Sequence, residues 1–177
     1  KIRIDEIAGA IGYIGSNGTI DIEKGEVGTI DGDLWALGSI ENKAEITVAG
    51  DVITNKQVYD KGHLTVTGTI FENVNLPAAG LPQPVFDFSR GAPDLEAHMG
   101  VPLDLEPGSY GRIRVDKGAV LRLTGGQYAM KELDAGDRAL ILIQGPVEIH
   151  VQKDLDIDDH VEWIVNGATS TRDVKIY

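Results

Sequence analysis

Every sixth residue from Ile22 to Leu76 is aliphatic or glycine: Ile22, Gly28, Leu34, Ile40, Ile46, Val52, Val58, Leu64, Ile70 and Leu76. Four residues after the members from Gly28 to Ile70 stand Gly32, Gly38, Ala44, Gly50, Lys56, Gly62, Gly68 and Val74, most of them small enough for a tight corner. One buried aliphatic and one corner residue per hexad is the pattern of a β-solenoid, with three hexads to a coil. The coil appears as a second, longer period, because "ITVAGDV" (46–52) returns as "LTVTGTI" (64–70). A single coil cannot bury its own apolar side, so equivalent residues must stack at the roughly 4.8 Å spacing of neighbouring strands. Leu34, Val52 and Ile70 are predicted to form one inward column, and Ile30, Val48 and Val66 another. Thr29, Thr47 and Thr65 alternate with the second column and face water.

Helix is disfavoured throughout, because glycine recurs too often for helix interiors and the Val, Ile and Thr content suits a pleated surface. The pattern breaks at residues 77–107, which hold six of the seven prolines. Proline has no N–H to give a ladder, so this stretch reads as a connector outside the coils. Its Val85, Phe86, Phe88, Leu95 and Met99 predict that it packs along the solenoid, with a helical turn near Asp94 to Met99. Beyond it, "PGSYGRIRVDKG" (107–118) and "GGQYAMKELDAG" (125–136) superpose at 18 residues, pairing Gly108 with Gly126 and Tyr110 with Tyr128. "VLRL", "LILI", "VEIHV", "LDI" and "VEWIV" supply further strands. The expected organisation is one all-β domain over 1–177: regular hexad coils at 1–76, the connector at 77–107, and larger, less regular coils at 108–177.

Charge and composition narrow the function. Sixteen Lys and Arg against 28 Asp and Glu give a net charge of −12, which repels phosphate backbones and anionic lipid. Nucleic acid is therefore not an expected partner. No cysteine is present, which removes disulfides, thiolate metal sites and cysteine nucleophiles. No apolar run is long enough to cross a membrane as a helix. The chain opens on lysine, which suggests a processed or excised product whose leader or anchor lies outside it.

The order "SNGTI", "GDLWALGSI", "ITVAGDV", "LTVTGTI", "LPQPVFDF", "PGSYGRIRVDKGAVLRLTGGQYAMKELDAG" and "GPVEIHVQKDLDI" resembles bacterial envelope β-helix domains carried by pilus-associated and surface-anchored proteins. The first half is similar to the polymer-forming bactofilin repeat. The resemblance is structural, resting on glycines, stacked aliphatics and Gly-x-Tyr strands, and it brings no catalytic residue. It implies a right-handed parallel β-helix with an extracellular or cell-surface role; the hexads alone suit either hand.

Few residues point to chemistry. "DLDIDDH" (154–160) sets Asp154, Asp156 and Asp158 on one strand face; Asp156, Asp158 and Asp159 are the candidate ligands for calcium, which needs several convergent oxygens. Carboxylates two residues apart on a flat strand lie about 7 Å apart, so a solvated acidic face is the favoured reading. His63, His98, His150 and His160 show no zinc-binding spacing, and His150 is expected to face outward. Arg112, Arg114 and Asp116 project to one side, with Arg122 expected nearby, a cluster suited to an acidic sugar. Trp35, Ile53 and Phe71 occupy one place in successive coils, turned outward next to the inward column. They form an apolar stripe that serves either as a seat for the connector or as a platform for a sugar chain or protein partner.

The sequence thus predicts a non-catalytic structural or adhesive surface module of a bacterial cell envelope or pilus-associated protein. Its partner would be a polysaccharide or a cell-surface protein. The alternatives are a carbohydrate-binding or carbohydrate-active β-helix, and a self-assembling filament subunit. Terminal coils bear on the last, because "RDVKIY" reads as an uncapped strand with Val174 and Ile176 on its apolar side. That predicts either continuation beyond Tyr177 or association through terminal coils.

Overall fold

Alternating burial along short strands sets the architecture. Ile20–Ile22, Gly28–Ile30, Leu34–Ala36 and Ile40–Asn42 each bury their outer two residues and turn the middle one outward. A computed structural model describes residues 1–5, 10–23, 28–76, 92–166 and 170–177, and structural statements here concern those residues. Parallel pairing stacks the strands into an all-β solenoid of about seven turns, about 20 residues apart. Leu34, Val52 and Ile70 are in register, as are Ile30, Val48 and Val66, so both predicted columns form.

Three faces run the length of the stack. The first carries Leu95–Ala97, residues 113–115, 133–135 and 155–157, then Ile2–Ile4, Ile20–Ile22, Ile40–Asn42 and Val58–Asp60. The second carries Leu103–Leu105, residues 120–124 and 140–144, and Glu162–Asn166; in the other half it carries Ala10–Ile11, Gly28–Ile30, Glu45–Val48 and His63–Val66. The third runs from residues 108–110 through 126–130, 147–151, Val174–Ile176, Tyr13–Ser16, Leu34–Ala36 and Val52–Thr54 to Ile70–Phe71.

Chain order and stacking order differ. Ile2–Ile4 pairs with residues 155–157 on one side and with Ile20–Ile22 on the other. Val174–Ile176 lies between residues 147–149 and residues 13–14. One coil in the middle of the solenoid is therefore assembled from the two extremes of the sequence. From that coil the first half winds outward to Ile70–Phe71; the second half starts at the opposite end with Leu95–Ala97 and winds back. The Tyr177 carbonyl accepts from Val151 N–H at 2.8 Å, and the N-terminal ammonium of Lys1 donates to the Lys153 carbonyl at 3.3 Å.

This corrects the expectation that "RDVKIY" is an open edge. Alternation specifies a strand with one apolar side but not its neighbours, and Val174 and Ile176 are buried between two coils. Among the described residues the outermost coils are elsewhere. At one end Ile70 keeps its place in the inward column with no coil beyond it among the described residues; it and Tyr59 are 46% exposed and Phe71 is 42% exposed. Two outward N–H groups there are taken by carboxylates, Val58 donating to Glu72 Oε1 at 2.6 Å and Leu64 to Asp60 Oδ2 at 3.1 Å. At the other end, Pro93, Pro102 and Pro107 flank the strands of the terminal coil, positions where a missing N–H blunts an edge.

The connector also differs from expectation. Leu95–Ala97 and Leu103–Leu105 are strands that join the stack, in place of a helical turn near Asp94 to Met99, because Leu95 and Leu103 align with Ile113 and Leu121. Val85, Phe86 and Phe88 lie outside the described residues. In the second half the coil length varies: Leu95 pairs with Ile113 and Leu103 with Leu121 at 18 residues, but Gly108 pairs with Tyr128 and Tyr110 with Met130 at 20, and Leu133 with Leu155 at 22. The corner between residues 123 and 128 is two residues longer than the one between 105 and 108. The 18-residue likeness is local, since the Tyr110 hydroxyl donates to the Glu106 carbonyl as Tyr128 does to Thr124, each four residues back.

Candidate functional site

Stacking in register converts one residue per coil into a continuous row, so a surface feature of this fold runs along the axis. On the third face Gly15, Trp35, Ile53 and Phe71 are cross-strand neighbours in that order. The predicted stripe of Trp35, Ile53 and Phe71 therefore exists. It continues past the junction of the two halves, where Tyr177 follows Ile176 and stacks on His150 with ring centroids 4.9 Å apart and planes 19° off parallel.

Two rings of this face, Trp35 in the stripe and Tyr13 in the row beside it, lie down against the sheet. A Cβ on Gly15 would sit 2.1 Å from Trp35 Cζ2, so the indole lies across that glycine. A Cβ on Gly32 would meet the Gly12 carbonyl oxygen first and then Tyr13 Cε1 at 2.8 Å, so both the close backbone approach and the Tyr13 ring require glycine there. Glycine at these two positions is what allows an outward aromatic ring to spread over the neighbouring coil. His150 was expected to face water; Tyr177 covers it, leaving it 7% exposed. Burial lowers its pKa, with Glu148 pulling the other way, and burial raises that of the Tyr177 phenol.

Polar groups flank the row on both sides. Glu148, Lys175 and Tyr13 are successive cross-strand neighbours on one side, with the Lys175 ammonium 3.1 Å from Glu148. Asp33, Asp51 and Thr69 continue that side: Asp51 N–H donates to Asp33 Oδ1 at 2.9 Å, and Thr69 N–H to Asp51 Oδ1 at 2.8 Å. On the other side Asn17, Asn55 and Asn73 follow the strands at the next corner. Asn55 grips the Leu76 backbone through both ends of its amide, Nδ2 donating to the carbonyl and Oδ1 accepting from the N–H.

The first face carries the charges. Arg112 pairs with Asp134 at 2.7 Å and Glu132 at 3.9 Å, and Arg114 with Glu96 at 3.3 Å and Asp116 at 3.5 Å. Arg122 is not beside them; it lies on the second face, 3.3 Å from Asp104. Each arginine of the expected acidic-sugar cluster is thus already matched by carboxylates.

Asp156, Asp158 and Asp159 do not bring three ligand atoms within 4.8 Å of one another. Arg3 lies among the acids, 2.9 Å from Asp5 and 3.7 Å from Asp156. Burial raises the pKa of Asp5 against the pull of Arg3, and burial with the charges of Asp156 and Asp159 raises that of Asp158. Among the described residues, Glu96, His98 and Asp116 are the trio whose ligand atoms converge within 4.8 Å. His98 Nδ1 lies 2.8 Å from Asp116 Oδ2, and the Arg114 guanidinium contacts both carboxylates, where a metal ion would have to displace it. Sequence reasoning missed this trio, although the 18-residue offset from His98 to Asp116 is the coil period and signals their adjacency.

No protein-family model matches the chain, and no curated protein or solved structure matches it. No helix among the described residues is long and apolar enough to cross a membrane.

Proposed function

We propose that this solenoid is a non-catalytic structural or adhesive module of a bacterial cell-envelope or pilus-associated protein, acting through the outer surface of its third face. The observation that carries the reading is the apolar row of Tyr177, Trp35, Ile53 and Phe71, which crosses the junction between the two halves and remains partly open to solvent. An apolar strip rimmed by polar groups is the usual mark of a contact surface. Support also comes from the charged face, where Arg112 and Arg114 are held by carboxylates and are not gathered around a cleft. A parallel solenoid presents such a strip rigidly, because every strand is held by its neighbours.

The test is adhesion. Beads coated with the chain should adhere to bacterial envelope preparations, and Trp35→Ala should reduce adhesion with little change in melting temperature. The same preparations incubated with polysaccharides should release no reducing ends or unsaturated products. Adhesion indifferent to Trp35, or turnover that depends on Arg114 or Asp116, would refute the reading.

A further inference from the structure

We infer that the aromatic row of the third face is a stacking platform for an uncharged glycan chain laid along the solenoid axis. The inference rests on the surface-module reading above and names its ligand. Its shape comes from the fold. From Tyr177, which covers His150, through Gly15, Trp35 and Ile53 to Phe71 there are five coils, hence four spacings and about 19 Å of continuous surface. The surface is a sheet and not a groove, and the Trp35 indole and Tyr13 ring lie down across Gly15 and Gly32 instead of standing off it. A long, flat ligand with apolar faces matches it, as the C–H faces of sugar rings do against aromatic side chains.

The polar rim narrows the chemistry. On one side stand the carboxylates of Asp33 and Asp51, each with its Oδ1 accepting an N–H of the next coil, and on the other the exposed amides of Asn17 and Asn73, interrupted by Leu37; the amides and the remaining carboxylate oxygens suit hydrogen bonding with hydroxyl groups. Lys175, the cation that pairs directly beside Tyr13 on this rim, is tied to Glu148. With a net charge of −12 on the chain, a polyanion is repelled from this surface and an uncharged polyol is not. A folded protein partner would also cover apolar area, but it does not call for a hydroxyl-directed rim on both sides of a one-residue-wide row.

Affinity electrophoresis and pull-down test the assignment, using the intact chain with cellulose, chitin and a soluble uncharged β-glucan, and with alginate and polygalacturonate as acidic comparators. Retention by at least one uncharged polymer is expected. Trp35→Ala and Tyr177→Ala should each weaken it at least tenfold while the thermal transition stays in place, and Arg114→Ala on the first face should leave it unchanged. A Gly15→Leu variant, which pushes the indole off its seat without removing it, should weaken binding as well. Absence of retention by every uncharged polymer overturns the inference, as does tighter binding to the acidic ones or loss on Arg114→Ala. If no glycan is retained while Trp35-dependent adhesion to envelope protein persists, the surface-module reading stands and the glycan assignment fails. If the glycan is retained but cleaved, the non-catalytic reading fails and the platform stands.

Discussion

Replacing Ile176 by Ala tests the central feature of the fold, that the last strand of the sequence is an interior strand. Ile176 is 1% exposed and lies between Ile149 and Ile14 on the two adjoining coils. The substitution removes three carbons, about 2.4 kcal/mol at about 0.8 per methylene, and leaves a cavity between coils that cannot close, for a total of about 3–4 kcal/mol. In a chain of 177 residues that lowers the melting temperature by about 10 °C. Ile70→Ala is the control, since Ile70 is 46% exposed and is the last member of its column among the described residues. Roughly half the transfer free energy is at stake there and no enclosed cavity forms, so the loss is about 1 kcal/mol, or about 3 °C. Urea and thermal unfolding followed by far-ultraviolet circular dichroism measure both. If Ile176→Ala costs no more than Ile70→Ala, the strand frays as a terminal edge and the interleaved stacking is wrong.

Other consequences follow from the same geometry. Because Tyr177 and Lys1 both contact residues 151–153, a circular permutant joining them through about three residues and opened within 77–91 should fold with an unchanged spectrum and melting temperature; failure to fold would contradict the shared coil. The hydrogen bond His98 donates to the Asp116 carboxylate raises the pKa of His98 and lowers that of Asp116. His98 therefore contributes fully below its unfolded pKa of about 6.5 and loses that contribution as pH rises through its folded value; Asp116 contributes above about 3.9 and loses it as pH falls through its folded value. The pair acts between the two folded values, and an NMR titration should find His98 returning toward the ordinary value in Asp116→Asn. Glu72→Ala frees the Val58 N–H on an open coil, so light scattering should show more concentration-dependent association than the unmodified chain; an identical mass at every concentration would show that this carboxylate does not guard the edge.

What the sequence determined by itself is everything governed by the strand period of two and the coil period near 18. The inward columns through Val48 and Val52, the outward threonines and the stripe of Trp35, Ile53 and Phe71 could all be read from spacing, because a residue in this fold meets its own equivalent one coil away. Even the His98–Asp116 contact obeys that rule. The tertiary structure alone decided which coil lies beside which when neighbours are not consecutive. Lys1 and Lys153 stand 152 residues apart yet are hydrogen bonded. Nothing in the alternation of Ile2 and Ile4, or of Val174 and Ile176, distinguishes a strand at the rim from one in the middle, since the apolar side is the same and parallel ladders accept any strand of matching register. For that reason the edges were misplaced, and for the same reason Tyr177 and His150 could not be added to the aromatic row beforehand. Their meeting depends on two half-solenoids closing on each other, a condition set by the unpaired strands each half presents and not by any local spacing of residues.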